Sequence, residues 1–228
     1  MTIADIPRFI QTHYEIHEWR YASSVLQTEY PDEWDDIVSV LSNFRLYRDH
    51  IVIKGGNKTK VAGLLDAHFN RLGWRETRFD TRIDVTEYEV LGRRDHREID
   101  RFYVDSPTHQ VDEYKNHIAV EVEWNNKDPF YDRDLNNFRL LFDLRVISVG
   151  VIITRTTELQ NVFNSLGRII GRKYGQNTTH MGKLLPRLEG GSGGGCPVLV
   201  FGIRPNLYSL DPPPQLDVEI SDDDEDGE

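Results

Sequence analysis

The chain has 228 residues, 38% of them hydrophobic, and a formal charge of −11. That is enough for one sizeable domain with its own core, and no apolar run approaches the roughly 18 residues that a membrane span needs. A single cysteine, Cys196, excludes an internal disulfide framework and fits a reducing compartment, so a cytoplasmic protein is expected.

The first residues, MTIADIPRFIQTHYE, lack a basic segment followed by a long apolar one, and no signal peptide is expected. Residues 31–43, PDEWDDIVSVLSN, place Trp34, Ile37, Val38 and Leu41 on one face of a helix. A second helix is expected from Lys60 to about Leu72, stopped by Gly73. The arginine-rich, alternating stretch around 76–104 reads as strands and turns. Next comes a hairpin: Gln110–Tyr114, a turn at Lys115-Asn116, then Ile118–Trp124. A helix over 132–146, an apolar strand over 148–155 and a helix over about 157–173 follow. The polar loop YGQNTTHMG and the flexible connector GGSGGG then lead to a last strand, 197–205. A mixed β-sheet flanked by helices, an α/β (α+β) fold, is the natural sum.

Charge is unevenly spread. Residues 211–228 hold nine acids and no Lys or Arg, so the −11 of the whole chain falls to −2 for residues 1–210. The expected organisation is one domain over 1–210 and an acidic, disordered tail over 211–228. Basic clusters lie at 45–60 and between Arg71 and Arg101, which includes eight arginines. Solvated faces balanced by nearby acids explain such clusters more readily than a polyanionic partner does.

Most other conspicuous residues read as structural. The eight histidines have no H-E-x-x-H or H-x3-H spacing, which argues against zinc. GGSGGG precedes a strand and lacks a Walker Lys-Ser/Thr, so no nucleotide cofactor is expected. Trp34, Trp74 and Trp124 read as core anchors, and Cys196 as a small buried hydrophobe.

The stretch VDEYKNHIAVEVEWNN, residues 111–126, is different. Its core is an apolar strand interrupted by Glu121 and Glu123, and side chains at i and i+2 of a strand share a face. Val120, Val122 and Trp124 then point the other way, and the hairpin can bring Asp112 alongside. Carboxylates so close repel one another unless a cation compensates them. Oxygen-only ligation suits Mg²⁺, whose shell is completed by water and phosphate. The bland alternative is an antiparallel strand with one solvated face. Asp112, nine residues before Glu121, weighs against that alternative without deciding it, because D-x8-E-x-E is a variant of the D…(E/D)-x-K nuclease core with Glu in place of Lys.

The same stretch resembles the active-site hairpin of the BglII/BstYI-type type II restriction endonucleases. PDEWDDIVSVL, AHFNRLGWRETR, SVGVIITR and PVLVFGIRP resemble further helices and strands of that group, so the resemblance covers about residues 14–205. The arginine-rich segment near 88–101 and the acidic tail have no counterpart in it, and Lys127-Asp128 is an insertion relative to its pattern. The resemblance implies a restriction-endonuclease-like fold and a Mg²⁺-dependent homodimer that cuts both strands of palindromic double-stranded DNA. It further implies a site of about six base pairs with a GATC-type core, leaving four-base 5′ overhangs. Carried over, Asp112 and Glu121 become metal ligands with the backbone carbonyl of Val122, and Glu123 becomes the third catalytic group. Asn125, Asn126 and Lys127, just past the strand, match a major-groove segment, with Asn126 suited to adenine. Asn177, Thr178 and Thr179 match a second reading loop, and Lys58, Lys60 and Arg133 are candidates for phosphate contacts. The helix over 132–146 is a plausible dimer element. Two rivals remain open: a DNA-binding protein that no longer cuts, and a structure-specific or repair nuclease. A glycosidase is disfavoured, because two carboxylates on one strand suit metal binding better than a sugar cleft.

Overall fold

The computed structural model describes residues 6–52, 59–107, 109–175 and 177–210. Lys58, Gln176 and the acidic stretch 211–228 lie outside the described residues.

The chain opens with a short helix α1 (Arg8–His13), strand β1 (Tyr14–Trp19) and helices α2 (Ala22–Glu29) and α3 (Pro31–Asn43). A two-residue strand β2 (Leu46–Tyr47) and a one-turn helix α4 (Arg48–Ile51) precede α5 (Lys60–Arg71). Strands β3 (Arg75–Thr77), β4 (Asp80–Gly92), β5 (Asp95–Pro107), β6 (Val111–Lys115) and β7 (Ile118–Val122) follow in succession. Then come α6 (Phe130–Asp143), β8 (Val149–Arg155), α7 (Leu159–Ser165), α8 (Arg168–Lys173) and α9 (Met181–Glu189). Strands β9 (Val198–Ile203) and β10 (Tyr208–Ser209) complete the described chain. No helix among the described residues is long and apolar enough to cross a membrane.

Six strands form one mixed sheet in the order β1-β9-β8-β7-β6-β3. Strands β7, β8 and β9 run parallel at its centre, and β1, β6 and β3 are antiparallel to their neighbours. The central strands are buried throughout and mostly apolar because helices cover both faces. On one face, Ile118, Val120, Val122 and Trp124 join residues of α1–α5, α7 and α8 in the larger core. On the other, Ala119, Ile152 and Val200 meet Tyr131, Leu135, Phe138 and Leu141 of α6 and Leu184 of α9. Gly150 of β8 pairs with Ala119 of β7. A Cβ at Gly150 would lie 2.3 Å from the Phe138 ring, so the helix rests directly on the sheet at that point.

Several expected elements keep their place with small shifts. The helix over 31–43 spans those residues, with Pro31 at its first turn. α5 stops before Gly73, whose φ of +89° suits a residue without a side chain. Trp34, Trp74, Trp124 and Cys196 are buried as expected. The hairpin turn falls one residue later, at Asn116 and His117, both in the left-handed region.

Other expectations are corrected. The helix expected over 157–173 is broken into α7 and α8 by Gly167 at φ +112°. The helix expected over 132–146 begins earlier, after Pro129, and ends at Asp143 before Arg145 turns left-handed. Met181 and Gly182 are not loop residues but open α9. The glycine run is no open connector: Ser192 N donates to Arg187 O, Gly194 N to Gly191 O and Cys196 N to Gly193 O. The alternating stretch around 76–104 does form strands, yet among the described residues β4 and β5 pair only with each other, as a two-stranded ribbon. One of its faces carries Ile83, Val104 and Phe102, all exposed.

Candidate active site

The hairpin that carries the carboxylates is an ordinary ladder near its turn, pairing Lys115 with Ile118, Tyr114 with Ala119 and Glu113 with Val120. One step further the register would oppose Asp112 and Glu121, and there the ladder gives way to side chains. Val122 N donates to Asp112 Oδ2 at 2.8 Å, and Asp112 N donates to Glu121 Oε2 at 3.4 Å. The two carboxylates take the place of backbone acceptors where the strands part. On its other edge the strand stays anchored, with Glu123 N donating to Ile153 O at 2.9 Å.

Alternation along β7 sends Glu121 and Glu123 to the side of Ala119, beneath α6. Both are buried, at 0% and 1% exposure. A fourth carboxylate, missed in the sequence, meets them there: Asp134 of α6, also at 0%. Its signal was its place in the apolar stripe Tyr131, Leu135, Phe138, Leu141 of a helix, where a carboxylate is costly unless something compensates it. Arg133 beside it supplies one compensating charge. Its Nε donates to Asp134 Oδ1 at 2.9 Å, its Nη2 stands 3.7 Å from Glu123 Oε1, and its guanidinium covers the Phe130 ring.

Burial and crowding make these groups hold their protons. Burial first, and then the negative charges of Asp134 and Asp112, raise Glu121 well above the usual carboxylate range. Burial and Asp134 push Glu123 up to about 9. Asp134 is raised by burial to about 6 and held back by Arg133. Such perturbation within one cluster is a mark of functional sites.

The donors present are hard oxygens, the chemistry of Mg²⁺, Mn²⁺ and Ca²⁺. One of them, Glu121 Oε1, is buried without a hydrogen-bond partner, whereas Asp134 and Glu123 share a side-chain hydrogen bond. The Val122 carbonyl accepts one bond, from Trp124 N at 3.2 Å, which leaves a lone pair. Among the described residues no three His, Cys, Asp or Glu side chains already stand in coordinating geometry. A set of two carboxylates and a carbonyl, completed by water and phosphate, fits what is here.

The two loops expected to read bases lie together beside the carboxylates. Lys127 and Thr178 form a backbone bridge, Asp128 N donates to Asn177 O at 3.3 Å, and Thr179 N donates to Asn126 O at 2.9 Å. Helix α9 pins this unit, through Lys183 to Asp128 at 3.0 Å and Arg187 to Asp132 at 2.7 Å. Thr179 differs from expectation: it is buried, and its hydroxyl donates to Glu123 O and accepts from Asn126 N. It braces the loop and is not presented outward. Thr178 is half-buried, donating to Gly175 O and accepting from the buried Arg155. Lys127 and Asn177 are exposed. Asn125 takes the left-handed conformation, φ 63°, that asparagine tolerates. Asn126 donates its Nδ2 to Glu123 Oε2 at 3.1 Å, which ties the loop to the carboxylate cluster. Lys60 opens α5 on the opposite face of the sheet.

A search among curated proteins finds no match for the chain. A family model does match, over residues 14–203, from the first residue of β1 to the last of β9. The match therefore spans the six-stranded sheet and the whole carboxylate cluster. The chain belongs to the restriction endonuclease BglII/BglIII family and is, as such, a site-specific deoxyribonuclease.

Proposed function

We propose that the chain is a type II enzyme that acts as a homodimer on palindromic duplex DNA and uses Mg²⁺ to hydrolyse one phosphodiester in each strand. Twofold symmetry in protein and site is the economical way to cut both strands. The observation that carries the reading is the splayed hairpin, where Asp112 and Glu121 replace backbone acceptors and leave Glu121 Oε1 buried without a partner.

Asp112, Glu121 and the Val122 carbonyl would hold the ion, which supplies positive charge for the phosphate and acidifies water. Glu123 orients the attacking water and accepts its proton, while Asn126 holds the opposite carboxylate oxygen of Glu123. Attack on phosphorus in line with the 3′ oxygen breaks that bond and leaves a 5′-phosphate and a 3′-hydroxyl. Asn125, Asn126, Asn177 and Thr178 are the base-reading residues of this proposal, for a GATC-type core cut with four-base 5′ overhangs. Lys127 and Arg133 contact phosphates, and Thr179 supports the reading loop from within; Lys60, on the other face of the sheet, is not among them.

Glu121→Ala tests the assignment. It should abolish cleavage in Mg²⁺ while largely keeping DNA binding in Ca²⁺; turnover like that of the wild type would remove Glu121 from the site. Sequencing the ends cut by the wild type tests the specificity separately, and an all-G·C core would refute it.

A further inference from the structure

We propose that Arg155, the last residue of β8, is a positioning residue for sequence reading: its guanidinium fixes the loop of Asn177 and Thr178 from inside the protein. This rests on the base-reading role given to that loop under Proposed function and extends it.

Arg155 is buried, at 1% exposure, at the end of a strand otherwise built of Val, Gly, Ile and Thr. It shares a face of β8 with Ile153, so it lies on the side of the sheet opposite Glu121 and Glu123. There its guanidinium carbon stands 5.3 Å from the centre of the Phe163 ring. That ring stacks on Tyr174 at 4.2 Å, and Trp124, next to Glu123 in the chain, meets both rings edge-on. A neutral apolar side chain would suit such surroundings better. Among the described residues no carboxylate acts on the guanidinium: burial lowers it to about 10, opposed only by the Tyr131 and Tyr174 hydroxyls. Its Nε is buried and has no partner either. A cation kept there calls for an explanation in what it holds.

What it holds is the reading loop. One nitrogen, Nη2, donates both to Tyr174 O and to Thr178 Oγ1, each at 2.9 Å. Thr178 in turn donates to Gly175 O at 2.8 Å, so Arg155 closes the turn that runs from Tyr174 to Thr178. The proton of the Thr178 hydroxyl is thereby committed inward, and the exposed Asn177 is left as the donor that faces outward. Asn177 O accepts from Asp128 N, and Thr179 N donates to Asn126 O. A displaced Thr178 would therefore carry Asn177 and Asn126 with it. Bidentate pairing with a base edge tolerates little such displacement, which is why a reading loop needs a rigid support beneath it.

The test is a double-mutant cycle read as discrimination, on the duplex identified by sequencing the cut ends. The quantity is kcat/KM on that duplex divided by kcat/KM on duplexes with one base pair changed. Arg155→Met and Thr178→Val should each lower this ratio about tenfold at the position the loop reads, the effect of one hydrogen bond to a charged group. Combined, they should lower it no further than either alone, because both remove the same bond. Thr178→Ser, which keeps the hydroxyl, should restore the ratio. Thermal unfolding shows whether each variant is folded. Where Arg155→Met does not fold, Arg155→Lys takes its place, since it keeps the charge but not the planar fork. An unchanged ratio in the folded Arg155 variant overturns the proposal, as do losses that multiply in the double variant or a kcat/KM reduced equally on all duplexes. In each of those cases a site-specific wild type leaves base reading by the loop standing. A wild-type ratio near one would overturn the base-reading assignment together with this proposal.

Discussion

In the metal-free protein, Glu123→Gln should make unfolding much less sensitive to pH above neutrality. Buried Glu123 keeps its proton up to about 9, against an ordinary value of 4.5. Between these values the native state holds a proton that the unfolded chain has lost, so its stability falls as pH rises, by about 1.4 kcal/mol per pH unit. From about pH 7 to about pH 8.5 the loss due to Glu123 alone is about 2 kcal/mol, roughly 4–8 °C in Tm for a chain of this size. Glu121, raised in the same direction, adds a loss of the same sign. Other buried groups stay quiet in that window. His50 and His180, lowered to about 4, titrate below their ordinary 6.5, and Cys196, raised to about 12, departs from the unfolded chain only towards 9.0 and above. Thermal unfolding in EDTA at closely spaced pH values is the assay. The wild-type Tm should drop across the window and that of Glu123→Gln should drop less, by the part due to Glu123. Saturating Ca²⁺ should flatten the wild-type curve, because a cation replaces the proton. Parallel curves for the two proteins would refute the claim that Glu123 is protonated in the native state.

Asn126→Ala should lose about 1–3 kcal/mol of discrimination at one base-pair position of the cognate site; a uniform loss across all sequences would mark Asn126 as a support for Glu123 alone. Deleting residues 211–228, with their nine acids, should leave specificity unchanged and strengthen non-specific binding by removing a competing polyanion, and lost cleavage would show that the segment is needed. Sedimentation equilibrium on a palindromic duplex should show two chains bound, and a single 26.5 kDa chain on the DNA would count against the dimer.

What could be read in advance was what short-range periodicity encodes. The period of two along β7 put Glu121 and Glu123 on one face, and the loop between the strands brought Asp112 opposite Glu121. Asn116 and Gly73 announced their turns through backbone conformations that few other residues adopt. Asp134 stayed hidden because its role depends on α6 crossing over β7, a contact that no local pattern specifies. β1 was hidden for a similar reason: YEIHEW alternates weakly and becomes a strand by pairing with β9, more than 170 residues away. The split of α7 from α8 was visible as Gly167, but helix propensity on both sides masked it. Asn126 was singled out for its match to a base edge, whereas its bond to Glu123 could come only from the loop conformation.

Gly150 and Ala119 stand side by side on neighbouring strands and together form a shallow trough for the Phe138 ring. Asp134 lies one turn before Phe138 on the helix, and Glu121 lies two residues beyond Ala119 on the strand. The spacing of the carboxylates is thus gauged by the absence of side-chain volume at a buried position that carries no charge. An added methyl group at 150 would act as a shim under the helix, lifting Asp134 and Arg133 away from Glu121 and Glu123 together. Activity in this enzyme is therefore vulnerable at a site that looks, by chemistry alone, entirely inert.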